Sequence, residues 1–482
     1  MKLSLIAGLN TGRGALHAQQ SALQVTGNNI ANVNTPGYSR QKVSLQTGLP
    51  QNHNPIGSIS IGVTVEDINR VRDVFMDDIF RRETQNLGCY ETLKNYLTQI
   101  ESIFNEPSET GLSSLMSRFF NAFQDLANNP EDLSTRMVLR ERGASLTNAI
   151  NETHFKLSQM QRDIGETLKG KINEVNNIAQ QIAKLNQQIK NTEAAQKITN
   201  ELRDRRDLLV DQLSKLVDID VLNKEDGTLT INAGQKNLVS DMFAHELEIN
   251  IPKIGSVRFR SRTPGAGLSG AQASVKLAKS NSPLSIRSGE LRGLLDVHND
   301  IIPHYQKRLD DLAAELAKEV NEWHQKGFGL DNSTGNSFFT FTSVSPSDNI
   351  GAASTIAIND VIFSDVKKIA ASGESDAPSD NSIAIMISQL RTNKVMNEDT
   401  ATFSDFYQSI IAELGGQSKN ANQFREAQKL VVSQINQRRE SVSGVSLDEE
   451  AIDLINYQSA YQAAARYINT VNELLDVVVN RL

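Results

Sequence analysis

The chain has 482 residues, 39% of them hydrophobic and 22% charged, a globular composition that argues against wholesale disorder. Its formal net charge of −8 argues against a nucleic-acid-binding surface, and its one cysteine, Cys89, excludes an intramolecular disulfide and a cysteine-based metal site. No run of the sequence approaches the ~18 apolar residues of a membrane span. Asn10, Gly12 and Arg13 interrupt the N-terminal apolar run, so the expectation is a cytoplasmic chain or one exported without a cleaved signal.

Taken in chain order, the first element is a helix of about 25 residues with Leu9, Leu16, Leu23 and Ile30 spaced by seven and Ala15 and Ala22 beside them. It ends in Ala31-Asn-Val-Asn-Thr-Pro-Gly-Tyr38, where Pro36-Gly37 marks a turn. Val43 and Leu45, then Ile59, Ile61, Val63 and Val65, alternate with polar neighbours as strands do. Helices are predicted over about 73–104, where Leu93, Leu97, Ile100 and Phe104 step by 3 and 4, and from Leu112 to Asn128. No proline lies between Pro130 and Pro252, and the longest helix is predicted over about 133–217 with Leu168, Val175, Ile182 and Ile189 as its heptad. Within it, Arg203-Asp204-Arg205-Arg206-Asp207 reads as a solvated charged turn.

Residues 218–285 turn to β, with Asp226-Gly227 as a hairpin signal. Helix returns at about 289–326, with a kink or restart at Pro303, followed by short strands and loops to about 380 and helix from there to the end. The last helix is the cleanest pattern. Leu454, Tyr457, Tyr461, Ala464, Ile468, Val471, Leu475, Val478 and Leu482 alternate steps of 3 and 4, a full a/d seam. Ser446-Leu-Asp-Glu449 reads as a capping box at its start.

The fold class expected is therefore mainly α with β insertions, an elongated multi-domain chain whose N- and C-terminal helices pair as a coiled coil. Residues 1–50 and 440–482 form the terminal helical domain, and 51–217 with 286–439 form a helical body bearing a small loop/β insertion at about 327–380. Residues 218–285 form an outward β domain. Charge supports the terminal pairing: residues 1–65 contain no Asp or Glu, whereas residues 447–482 carry six carboxylates against Arg466 and Arg481. Narrow apolar stripes, and Gly8, Gly12, Gly14 and Gly27 in the first helix, predict that both ends are disordered in the free chain and fold when neighbouring subunits cover them.

Two segments carry a family resemblance. Asn28-Asn29-Ile30-Ala31-Asn32-Val33-Asn34-Thr35-Pro36-Gly37-Tyr38 resembles the N-terminal motif of flagellar rod, hook and hook-associated proteins. Ser443-Gly-Val-Ser-Leu-Asp-Glu-Glu450 and Tyr457-Gln-Ser-Ala-Tyr-Gln-Ala-Ala-Ala-Arg466, with Gly37-Tyr-Ser-Arg-Gln41, Ser288-Gly-Glu-Leu-Arg-Gly-Leu-Leu295 and Gly327-Phe-Gly-Leu-Asp331, resemble the hook-associated branch that joins hook to filament. The likeness covers about 1–220 and 285–482. The segment around 340–380 is short for this family, which implies an outer domain reduced or missing relative to longer members.

The resemblance implies a structural subunit that self-assembles into a ring or tubular layer, with hook protein on one side and a second hook-associated junction protein on the filament side. It implies an export chaperone on the C-terminal helix, passage through the flagellar export apparatus, and an extracellular place in the flagellum. The seam residues become inter-subunit contacts, and Asn28, Asn29, Asn32 and Asn34 a turn that hydrogen-bonds between subunits. No cofactor, metal, nucleic acid or membrane insertion is expected. His298 and His304 lie six apart, which fits no zinc spacing; Asp331-Asn-Ser-Thr-Gly335 lacks the Glu of a calcium loop; and no phosphate-binding or nucleophile motif occurs, so the expectation is no enzyme. The alternatives are another axial subunit of hook or rod, and less strongly a flagellum-associated adhesin or cell-wall hydrolase.

Overall fold

Prolines, glycines and side-chain caps set most element ends, and the chain order follows from them. The computed structural model describes residues 2–48, 50–53, 57–60, 62–195, 197, 199–251, 272–279, 282–343 and 349–480. Ile61 and Leu482 of the predicted patterns lie outside the described residues, as do the side chains of Ile59 and Val478.

Helix α1 (Lys2–Ala31) leads through the motif turn to β1 (Gln41–Thr47), which pairs antiparallel with β4 (Val63–Arg70) around a small hairpin of β2 (Pro50–His53) and β3 (Gly57–Ser60). Asp73 caps α2 (Val74–Phe104), its carboxylate accepting from the amides of Phe75 and Met76, and Asp132 does the same for α4 (Leu133–Ala194) after α3 (Leu112–Asn128). Helix α5 (Asn200–Leu216) follows. The β region is a four-stranded antiparallel meander, β5 (Ile219–Asn223), β6 (Leu229–Ala233), β7 (Lys236–Ser240) and β8 (Phe243–Ala244), with a separate pair, β9 (Leu247–Asn250) and β10 (Ser274–Leu277). Gly227, at a φ of +75°, makes the turn between β5 and β6.

Helix α6 (Glu290–Asp296) passes through a π-helical turn at Val297–Ile301 into α7 (Ile302–Lys326), so the predicted restart at Pro303 is a widened turn just before it. Short elements come next: β11 (Phe339–Thr340), paired with β12 (Ala357–Ile358), and the helices α8 (Ala352–Thr355), α9 (Asp360–Ser364) and α10 (Ser382–Gln389). The last two helices are α11 (Phe403–Ser443) and α12 (Leu447–Asn480). The C-terminal region is thus not helical throughout from 381: residues 390–402 form a loop, whose end carries a capping box of Thr402 and Asp405 that starts α11.

The core follows α4. Leu139, Leu146, Ile150, Leu157, Ile164, Leu168, Val175, Ile182 and Ile189 are wholly shielded, and each contributes on the order of 1.5–3 kcal/mol of apolar burial. At one end of the body, Phe119, Phe123 and Phe338 pack with centroids 5.3–5.7 Å apart.

The predicted single helix over 133–217 is two. Helix α4 ends at Ala194 and α5 folds back along it, with Arg203 reaching Glu193 and Arg206 donating to Asn186 Oδ1 at 3.2 Å. No proline or glycine marks the break. The reversal is stabilised instead by burial of the α5 face, and that overturns a second expectation: Asp204, Arg206 and Asp207 are buried, not a solvated turn.

Candidate assembly interface

The two ends of the chain meet. Helix α12 lies antiparallel along α1, and the predicted C-terminal stripe faces it: Leu454, Tyr457, Ala464, Ile468 and Leu475 are half-buried and Val471 is buried, while Tyr461 is exposed at 37%. On α1 the face turned to α12 is one residue away from the predicted leucines. Gly12, Ala22 and Asn29 are buried on it, whereas Leu9, Leu16, Leu23 and Ile30 are half-buried on the flank. The row Gly8, Ala15, Ala22, Asn29 has the same seven-residue period, which is how the larger leucines drew the eye to the neighbouring row. Gly12 shows why small residues are needed there: a Cβ on it would sit 2.5 Å from Ile468 Cγ1. Its lower helix propensity is offset by the close approach of the two backbones.

At the open end of this pair, the motif turn closes a polar node. The Nδ2 of Asn29 donates to Glu450 Oε2 at 3.0 Å and to the carbonyl of Gln41 at 2.9 Å, and its Oδ1 accepts from Tyr38 Oη at 2.8 Å and from the Gln41 amide at 3.0 Å. All four bonding directions of the amide are used, inside the chain. Arg40 pairs with Glu450 at 2.7 Å, Glu449 at 2.6 Å and Asp453 at 3.5 Å, so the opposite charges of the two ends meet in these contacts. Glu449, read from sequence as a capping-box carboxylate, turns to Arg40. Glu450 is 1% exposed. Burial, with Asp204 and Glu450 nearby, pushes the Tyr38 hydroxyl up to about 12, so it stays a donor to Asn29.

The other motif residues are disposed around that node. Asn32 Nδ2 donates back to the carbonyl of Asn28, and Thr35 Oγ1 to Asn32 Oδ1. Asn28, Ala31, Asn34, Thr35 and Pro36 are exposed. Gly37, at a φ of +80°, lets the turn seat on Leu208 of α5, where a Cβ would be 3.0 Å from Leu208 Cβ.

The node continues into a buried joint with the body. The Ser39 amide donates to Asp204 at 3.1 Å. Arg70 bonds Asp204 and Asp207, each at 2.8 Å, and Arg72 bonds Asp77 at 2.7 Å and Asp207 at 2.8 Å. Arg81 and Arg439 close on Asp211 at 2.8 and 2.7 Å. Four guanidinium groups thus face four carboxylates from β4, the β4–α2 link, α2, α5 and α11. Burial opposes the charge on Asp207, but Arg72, Arg70 and Arg206 hold its carboxyl below the usual range. Burial likewise opposes the charge on Arg72, while Asp207 and Asp77 keep it protonated. A cavity of about 260 Å³ between the motif turn and residues 436–445 is lined by Arg72, Asp211, Arg439 and Glu440, so the joint is polar on both sides.

Sequence reading missed this joint although its signal is present. Asp204, Asp207 and Asp211 step by 3 and 4 on one helix face, and Arg70-x-Arg72 alternates as a strand exit does. Among the described residues no cluster of His, Cys, Asp or Glu could hold a metal ion, and no helix is long and apolar enough to cross a membrane.

The pieces joined here are those that known families share. Residues 9–38 match a family model described as the flagella basal body rod protein, and 436–482 one described as the flagellar basal body rod FlgEFG protein C-terminal. Residues 97–339, which take in much of the helical body and the β region, match the flagellar hook-associated protein FlgK helical domain. The chain is 31% identical to flagellar hook-associated protein 1 of Bacillus subtilis (strain 168), over 99% of its own length and 98% of the relative's. It is 26% identical to the protein of that name from Escherichia coli (strain K12), over 98% and 99%. The fold resembles the structure of the flagellar hook junction protein FlgK from Burkholderia pseudomallei, with a TM-score of 0.66 at 15% identity over 76% of this chain and all of that one. Full-length identity, the body domain and both terminal segments agree: the chain belongs to the flagellar hook-associated protein 1 family.

Proposed function

We propose that this chain is a structural subunit of the bacterial flagellum that polymerises at the hook–filament junction and connects hook to flagellin filament. The observation that carries this reading is the union of the chain's ends in one helix pair, welded through the motif turn to a helical body. That pair leaves a second apolar surface uncovered: Ile452, Ile455, Leu474 and Val477 of α12 are exposed at 45–61%. A helix with apolar side chains on both faces is suited to pack against its own chain on one side and against further subunits on the other.

In this reading residues 1–50 and 440–482 are the polymerising domain, ordered fully only when neighbours cover it, 51–217 and 286–439 are the body, and 218–285 face outward. The seam side chains, with the outer face of α12, make inter-subunit contacts. Hook protein lies on one side and a second hook-associated junction protein on the other. Before export through the flagellar apparatus, which needs no cleaved signal, a chaperone covers the apolar faces of α12. The role is structural, without catalysis. The test is electron microscopy of cells lacking this chain, with flagellin assayed in the medium. Hooks without filaments and monomeric flagellin outside support the junction role; normal filaments refute it, and missing hooks move the chain to the rod or hook.

A further inference from the structure

The terminal helix pair is held by a seam much of which says little about register. Its α1 side has Gly8, Ala15 and Ala22 in one row, beside Gly12 in the next, where a Cβ would sit 2.5 Å from Ile468 Cγ1. The row of small side chains offers nearly the same groove at every heptad, so against it sliding α12 by seven residues changes the apolar packing little, and Gly12 is the steric mark of register. The seam is nevertheless in one register. A Cβ on Gly8 would meet Val471 Cγ2 at 3.7 Å, and Asn29 meets Glu450, so the same three heptads separate the two contacts on both helices.

The stronger mark of register is at the end of the seam. Glu450 is buried, and its carboxylate is met by Asn29 Nδ2 and Arg40 Nε. A slide of one heptad would set it opposite Ala22, leaving a buried carboxylate without Asn29 or Arg40 and one buried N–H of Asn29 without an acceptor, which is far more costly than any change in the alanine row. Arg40 also ties the key to its own chain. Its amide donates to the carbonyl of Ser443 at 2.9 Å, its carbonyl accepts from Val71 at 2.8 Å, and Asn29 is bound to Gln41 on both sides of its amide.

We propose that Asn29, Arg40 and Glu450 are the specificity-determining residues of terminal pairing: they make α12 dock on the α1 of its own chain, in one register. The outer face of α12 is then presented to neighbours in a single phase. The inference does not depend on where along the flagellum the chain sits.

The test is disulfide trapping in full-length chains carrying Cys89→Ala. One version adds Gly8→Cys with Val471→Cys, the in-register pair, and the other Gly8→Cys with Ala464→Cys, which lies about 10 Å away along the helix and beyond disulfide reach unless the pair slips. Chains are oxidised in flagella sheared from cells in which each is the only copy, and also as purified protein, and resolved on non-reducing gels. With the key intact, only the in-register pair closes, within one chain, giving a fast-migrating monomer and no covalent dimer. Asn29→Asp sets a second carboxylate against Glu450 and is expected to raise the ratio of slipped to in-register product about tenfold or more, with dimers from exchanged helices. Glu450→Gln added to Asn29→Asp restores a hydrogen-bonded pair and is expected to return the ratio, a rescue that mere loss of stability would not give. Asn29→Ala serves as the milder variant if Asn29→Asp is not recovered, with a smaller rise in the same direction.

The proposal is overturned by equal yields from the two cysteine pairs with the key intact, by an unchanged ratio in the Asn29 variants, or by a double variant that stays slipped. Absence of the unaltered-key chain from sheared flagella would count against the junction role, while the ratio in purified protein still decides the key.

Discussion

The body and the terminal pair are both helical, yet they are built on opposite plans. In the body, α4 buries a leucine or isoleucine on almost every turn, and three phenylalanines interlock at its end. In the terminal pair the buried α1 residues are Gly12, Ala18, Ala22, Val25, Thr26 and Asn29, and α12 contributes Val471 and Glu450. Large interdigitating side chains give one chain both stability and a unique packing. Small ones give close approach but less of either, so in the proposed reading the terminal pair draws register from a polar key and is completed by assembly, whereas the body folds alone.

The sharpest way to break the comparison is at the aromatic end of the body. Phe119→Ala is expected to lower the free energy of unfolding of the body by about 3–5 kcal/mol, read by denaturant titration. Trapping of Gly8→Cys with Val471→Cys below the midpoint should be unchanged. If body and termini lost order together, they would be one cooperative unit.

Next in size is the joint between them. Asp207→Asn leaves Arg70 and Arg72 facing one fewer carboxylate in a buried site, and is expected to cost about 3 kcal/mol at pH 7. Because the native state holds Asp207 below its unfolded pKa of about 4, its contribution is complete above that pH and is lost as pH falls through the depressed native value. The stability gap between wild type and Asp207→Asn should therefore be widest near neutrality and close on acidification below about pH 4. A gap independent of pH would mean that the ionised carboxylate is not what the joint uses.

A smaller effect is expected from Gly12→Leu. The added side chain meets Ile468 at once, so the helices must separate, while the unfolding of the body should move by less than ~0.5 kcal/mol. Assembly into flagella should fail, and Ile468→Ala in the same chain should recover part of it. Loss of body stability instead would show that the terminal pair supports the body.

How much of this was legible in the sequence depended on side-chain size and on what breaks a helix. Large residues in 3/4 spacing were read correctly: the heptad of Leu168, Val175, Ile182 and Ile189 is fully shielded, and the α12 stripe from Leu454 to Leu475 mostly faces α1. On α1 the same logic chose Leu9, Leu16, Leu23 and Ile30, although the tighter contact belongs to the adjacent glycine and alanine row, because hydrophobicity ranks bulk and close packing there selects against it. Charge was legible at long range, since Arg40 does meet the acidic start of α12. It was misread at short range. The run from Arg203 to Asp207 is charged on every side, and only the partner strand exit with Arg70 and Arg72 decides that its Asp204–Asp207 face is inside. The turn between α4 and α5 had no local signal, because tertiary burial of α5, not a helix breaker, reverses the chain.

Tyr461 gives the smallest effect on the single chain and the finest test of the two plans. It continues the 3/4 stripe, so sequence assigns it to the seam, but it is 37% exposed while its neighbours Tyr457 and Ala464 are half-buried. If the terminal pair were a self-sufficient coiled coil, Tyr461→Ala would remove seam packing and lower the stability of the helix pair by ~1 kcal/mol or more. If the pair is completed by its neighbours, the ring already faces water in the free chain. Its loss then costs less than ~0.5 kcal/mol there, while the contact it makes in the polymer disappears. Unfolding of the purified variant together with its incorporation into flagella distinguishes the two: unchanged unfolding with reduced incorporation places Tyr461 on the outer, subunit-facing surface. Reduced stability with normal incorporation would return it to the intrachain seam and narrow the surface left for neighbours to Ile452, Ile455, Leu474 and Val477.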